Sequence, residues 1–190
     1  NPRRINRLSE IGILGTGTWG TAIGRILANA GHNVVMWSAI VKEIDNLSST
    51  YVHPNLEGML IPRQIQFTKN IEKACKNKDV LIFAVPSVFV RTTAGKAAAY
   101  IPNDQIIVDI GKGIEPDTLF TLTEVIQNEL QKDGTHKDIK LVALSGPTHA
   151  EEVAFDMPTL IVSASVDLDA AEEIQNLFSG TCMRVYTNID

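Results

Sequence analysis

The stretch that most restricts what this chain can fold into runs from Ile11 to Gly31, IGILGTGTWGTAIGRILANAG. A short apolar run, Ile11–Leu14, feeds into Gly15-Thr16-Gly17-Thr18-Trp19-Gly20. A helical pattern follows over Thr21–Asn29, with Ile23, Ile26 and Leu27 on one face and Gly31 placed as a C-cap. GxGxxG alone is a weak signal; between a strand and a helix it has a physical reading. Gly15 permits a tight turn, Gly17 lets a pyrophosphate approach the backbone, and Gly20 lets the helix pack close to the strand. The first-turn N–H groups and the helix dipole then face the phosphates. Trp19 either covers the top of the sheet or lines the cleft beside the pyrophosphate.

The rest of the chain repeats the alternation. Strands are predicted at Val34–Trp37, Ile65–Phe67, Val80–Val85, Ile106–Ile110, Leu141–Leu144, Leu160–Ser163 and Met183–Tyr186. Helices are predicted at Val41–Leu47, Ile71–Lys76, Val90–Tyr100, Leu119–Leu130, Ala150–Ala154 and Ala170–Phe178, with a loop over Tyr51–Pro62. Val80–Val85 is apolar without alternation, which suits a strand buried on both faces of a parallel sheet. The fold class expected is α/β: a Rossmann-like, doubly wound, mostly parallel sheet with helices on both faces. Residues 11–190 read as one dinucleotide-binding domain and 1–10 as a flexible arm.

In such a sheet ligands bind beyond the carboxyl ends of the strands. The second strand ends Met36-Trp37-Ser38-Ala39-Ile40, without the acid that commonly grips an adenosine ribose. Ser38 could bond a ribose hydroxyl or a 2′-phosphate, and Lys42 could favour the phosphate, so NAD and NADP both stay open. After Val80–Val85, Pro86 ends the strand, and Phe89 either presses on a cofactor ring or packs in the core. After Ile106–Ile110 comes GKGIE, where Lys112 between two glycines either anchors a phosphate or carbonyl oxygen or is a solvated turn lysine. After Leu141–Leu144 comes SGPTHAEEVA, with Gly146 in a turn, the Thr148 hydroxyl, and His149 as an acid–base group or a packing residue.

Composition removes other classes. The formal charge is −5 with no basic stripe, so nucleic acid is not an expected partner. The apolar runs are too short to span a bilayer, and NPRRINRLSE lacks the apolar core of a secretory signal. Cys75 and Cys182 lack CxxC spacing and read as reduced thiols of a cytoplasmic protein, and no metal site is expected.

Taken in order, GTGTWG, VPSVFV, GKGIEPDT, LSGPTHAEEVA and FSGTCMRVYTNID resemble bacterial NAD(P)-dependent glycerol-3-phosphate dehydrogenase over about Ile11 to Asp190. The resemblance implies interconversion of dihydroxyacetone phosphate and sn-glycerol 3-phosphate, feeding phospholipid synthesis. By matching positions it puts Thr18, Trp19, Phe89 and Ala150 at the cofactor, with Lys112 touching cofactor and substrate. Gly146 and Thr148 would lie at the substrate. Ala39 stands where the family often has Arg or His, which argues against a strong NADP preference. The resemblance also implies a helical C-terminal domain with a second lysine, so this chain reads as the cofactor half, inactive alone and cut after its last strand; the full-length protein would be a homodimer. The alternatives are another two-domain Rossmann dehydrogenase, an NAD(H)-sensing module without catalysis, and a structural α/β domain. Trp19 and Trp37 are both expected near the cofactor.

Overall fold

The computed structural model describes residues 8–189. One eight-stranded sheet has the order β3-β2-β1-β4-β5-β6-β7-β8. Its strands are β1 (Glu10–Leu14), β2 (Asn33–Trp37), β3 (Gln66–Thr68), β4 (Val80–Phe83), β5 (Ile106–Asp109), β6 (Lys140–Ser145), β7 (Thr159–Ala164) and β8 (Met183–Asn188). The helices are α1 (Thr18–Asn29), α2 (Val41–Thr50), α3 (Ile71–Cys75), α4 (Ser87–Ala97), α5 (Leu122–Gln131), α6 (Ala150–Ala154) and α7 (Leu168–Leu177). The doubly wound, mostly parallel sheet is therefore present. The arm expected over 1–10 lies mostly outside the described residues. Glu10 already belongs to β1, and its N–H donates to the Asp79 carboxylate at 2.8 Å.

Alternation along the central strands builds two cores. Ile11, Ile13, Val80, Ile82, Ile106 and Val108 face a layer that includes α1 and α7. Leu14, Leu81, Phe83 and Ile107 face α3, α4 and α5. The strand order reverses between β1 and β4, where two parallel neighbours diverge into opposite connections. A crevice opens at such a switch point because the following helices leave on opposite faces.

Three local differences from the sequence reading have physical causes. Helix α1 starts at Thr18, inside the glycine motif, three residues before the apolar periodicity begins. Helix α5 starts at Leu122 and not Leu119, because Thr121 and Glu124 form a capping box. Leu119 matches the helical spacing yet sits at φ 60° with 69% of its surface exposed. Finally, β7 runs antiparallel to β6. Helix α6 between them has five residues and rises about 7 Å, against about 20 Å for a six-residue strand. It is too short for a parallel crossover.

Candidate functional site

The three glycines of the loop do different work. Gly15 has φ +122°, and a Cβ there would stand 2.4 Å from the Ala84 carbonyl oxygen. A Cβ on Gly20 would meet the Ala84 Cβ at 2.8 Å. Both are required by the approach of the β4 end. Gly17 has an ordinary φ of −65°, and a Cβ there would meet nothing within 4 Å. It is also the N-cap of α1, where Asn, Asp or Ser would stabilise the helix a few tenths of a kcal/mol more than glycine, and no side chain caps that end. Neither conformation nor packing demands Gly17. What a bare backbone at a helix start does permit is contact with an anion.

A cleft of about 350 Å³ opens in front of this helix start. Gly17, Thr18, Trp19 and Gly20 form one wall; Pro86, Gly111, Lys112, Thr148, His149 and Ala150 form the others. Thus nine of the residues singled out in the sequence meet in one place: Gly17, Thr18, Trp19, Gly20, Pro86, Lys112, Thr148, His149 and Ala150. Gly15 lies behind them, its N–H donating to the Trp37 carbonyl at 2.7 Å. Both readings of Trp19 hold together: it lines the cleft, and its indole N–H donates to the Ile110 carbonyl at 3.1 Å, across the sheet top.

Lys112 is held at the cleft by a 2.9 Å hydrogen bond from Nζ to the Thr148 carbonyl. Its turn is fastened from below. Arg91 on α4 donates from Nε and Nη2 to the two carboxylate oxygens of Glu115, each at 2.7 Å. That guanidinium, helped by the Thr118 hydroxyl, pulls the Glu115 carboxyl down to about 2. Arg25 on α1 grips Asp156 through two bonds of 2.8 and 2.9 Å, which ties the segment after α6 to the glycine helix.

Other predicted residues lie elsewhere. Phe89 is on the first turn of α4, 56% exposed, and neither in the core nor on the cleft wall. Gly146 lines a second groove of about 320 Å³ on the other side of Lys112. A Cβ on Gly146 would stand 2.9 Å from the Leu160 carbonyl oxygen, so the close approach of β7 accounts for that glycine. Trp37 is a core residue whose indole N–H donates to the Lys69 carbonyl. Ser38 and Ala39 sit at the end of β2, outside the cleft lining.

Two carboxylates were missed by sequence reasoning. Glu43, in the first turn of α2, accepts from the Ser38 and Thr16 hydroxyls, both at 2.8 Å and both on Oε2. Its signal was an acid in the residues after the second strand, sought too close to the strand end. Asp109 closes β5 and is 6% exposed. Burial pushes its carboxyl up to about 6, opposed by a 3.3 Å bond from the Gly111 N–H. It shares the second groove with Lys112. The signal was a lone acid in the apolar run IIVDI.

A doubly wound sheet with a glycine turn, an uncapped helix start and a cleft at the switch point defines a Rossmann-type dinucleotide-binding domain. Residues 10–171 match the family model described as NAD-dependent glycerol-3-phosphate dehydrogenase N-terminus, and the chain belongs to that family. It is 59% identical over 183 residues to a glycerol-3-phosphate dehydrogenase (NAD(P)+) 2 of Lactobacillus delbrueckii subsp. bulgaricus, covering 96% of this chain and 54% of that protein. It is 42% identical over 184 residues to the enzyme of Agathobacter rectalis, covering 96% and 53%. The crystal structure of glycerol-3-phosphate dehydrogenase from Coxiella burnetii superposes with a TM-score of 0.86 at 26% identity, covering 95% of this chain and 54% of that one. The chain therefore spans about half the length of the curated relatives it matches. Among the described residues no helix is long and apolar enough to cross a membrane.

Proposed function

We propose that this chain binds NAD(H) or NADP(H) in the cleft and forms the cofactor half of an enzyme interconverting dihydroxyacetone phosphate and sn-glycerol 3-phosphate. In this reading residues 11–190 are the dinucleotide-binding domain and 1–10 an arm. The enzyme is a cytoplasmic homodimer in its full-length form, supplying a phospholipid precursor, and the 190 residues alone turn over little substrate. Family membership and the gathered cleft support the reading.

The pyrophosphate would rest on Gly17 and the first turn of α1, where fixed N–H groups need no reorganisation to meet negative charge. The nicotinamide, when bound, supplies or accepts a hydride at the reacting carbon. This chain contributes Lys112, whose ammonium is anchored on the Thr148 carbonyl and stabilises charge on the substrate oxygen. One donor of that kind is worth about 3–4 kcal/mol of barrier. Trp19 and Pro86 add apolar surface to the cleft wall.

One observation carries the reading: Gly17 is a glycine that the fold itself does not require. Gly17→Val tests it. Its branches point into open space, so the melting temperature should stay within a few degrees, while quenching of Trp19 emission by NADH should be lost. Undiminished NADH affinity in a folded Gly17→Val protein would overturn the cofactor assignment.

A further inference from the structure

We infer that Glu43 is the ribose-facing carboxylate of the cofactor site and that it selects NAD(H) against NADP(H); the inference rests on the cofactor reading above and adds its specificity. The strands β1 and β2 are parallel neighbours, with Leu14 opposite Trp37 at their carboxyl ends. Thr16 follows the first strand end and Ser38 the second. Both hydroxyls donate to the same oxygen, Oε2 of Glu43, at 2.8 Å. The carboxylate thus bridges the two strand ends, the place where this fold holds the adenosine ribose.

The two bonds orient the group and leave a specific valence. Among the described residues Oε1 of Glu43 accepts no hydrogen bond, and the residue is exposed. A fixed carboxylate oxygen open to solvent beside the switch-point crevice is an acceptor for a ribose 2′- or 3′-hydroxyl. The same arrangement opposes a 2′-phosphate. Ser38 cannot serve it, because its proton goes to Glu43 and its oxygen accepts from the Ile40 N–H at 3.1 Å. The Thr16 hydroxyl is likewise committed. The next residues, Ala39 and Ile40, bring no cation. Lys42 is the nearest cation in sequence, and among the described residues it forms no ion pair with Glu43. A phosphate placed here meets an anion whose two hydroxyl clamps face away from it. Ile40 and Val41, 55% and 51% exposed, add an apolar surface of the kind an adenine ring covers.

The test is a titration with NADH and with NADPH, read by Trp19 emission, on the unaltered protein and on Glu43→Gln. Glutamine keeps the length, and its amide oxygen can still accept from both hydroxyls, but it removes the charge. The unaltered protein should bind NADH at least about tenfold tighter than NADPH, the scale expected of a carboxylate facing a phosphate dianion across a few ångströms of water. In Glu43→Gln the ratio should fall to within about threefold, through a gain in NADPH affinity. Because the ratio compares two ligands on one sample, any loss of folded protein cancels. An unchanged ratio, including equal weakening of both ligands, would show that Glu43 only staples the loop and overturns the inference. So would an NADPH preference in the unaltered protein that Lys42→Ala abolishes. Saturable binding of NADH in either of those cases leaves the cofactor reading standing; binding of neither nucleotide removes both.

Discussion

The glycine turn after β1 and the lysine turn after β5 face each other across one cleft, and they are held by opposite means. The glycine turn is fixed by backbone contact: Gly15 and Gly20 lie against Ala84 with no room for a Cβ. The lysine turn is fixed by side chains drawn from distant elements. Arg91 comes from α4, Trp19 from α1, and the Thr148 carbonyl from the segment after β6. The first device is local and rigid. The second depends on ion pairs and hydrogen bonds, so pH can loosen it. A cleft built this way keeps its glycine wall constant while its lysine wall can adjust.

The largest expected effect falls on the backbone side. Gly15→Ala combines a positive φ with a clash against the Ala84 carbonyl and should cost about 3 kcal/mol or more in urea unfolding. Gly17→Ala, two residues on, should cost only about 1 kcal/mol, the difference between a glycine and an alanine N-cap. Equal losses at the two positions would erase the distinction between packed and open glycines.

The next effect belongs to the side-chain side and has the opposite sign. Asp109 has its folded pKa raised to about 6, above the ordinary value of 3.8. Its contribution is therefore fully present below pH 3.8 and is lost as pH rises through 6. Asp109→Asn removes that loss and should stabilise the protein at pH 7 by about 2 kcal/mol, with little difference near pH 4. Urea midpoints at the two pH values check it; a variant less stable at pH 7 would mean that the carboxylate is needed to hold the Gly111 turn.

The smallest effect concerns Glu115, whose carboxyl is pulled down to about 2 from an ordinary 4.5 by Arg91. A lowered folded value gives stability that is present above pH 4.5 and lost as pH falls toward 2. Arg91→Ala should flatten the dependence of stability on pH in that window, measured by thermal melting between those limits. An unchanged slope would remove the guanidinium as the anchor of the lysine turn.

Much of the fold was legible because its causes are short-range. Unbroken apolar runs such as Val80–Phe83 announce strands buried on both faces, and their neighbours read as helices by period. Element ends were less legible. Leu119 satisfied the helical spacing, yet the capping box at Thr121 and Glu124 set the start of α5. The antiparallel return of β7 was hidden because it depends on the length of α6 relative to the strands it would have to cross.

For the candidate site, strand ends and helix starts pointed to Gly17, Trp19, Gly20, Pro86, Lys112 and Thr148, the family resemblance added Thr18 and Ala150, and all of these line one cleft. Only the tertiary structure separated Gly17, with open space before its Cα, from Gly15 and Gly20, crowded by Ala84. It likewise moved Phe89 and Gly146 off the cleft wall and brought Glu43 onto Thr16 and Ser38. The reason is range: strand ends and helix starts are set by neighbours in the chain, whereas the space in front of a Cα and the partner of a carboxylate are set by residues that meet only when the sheet is assembled.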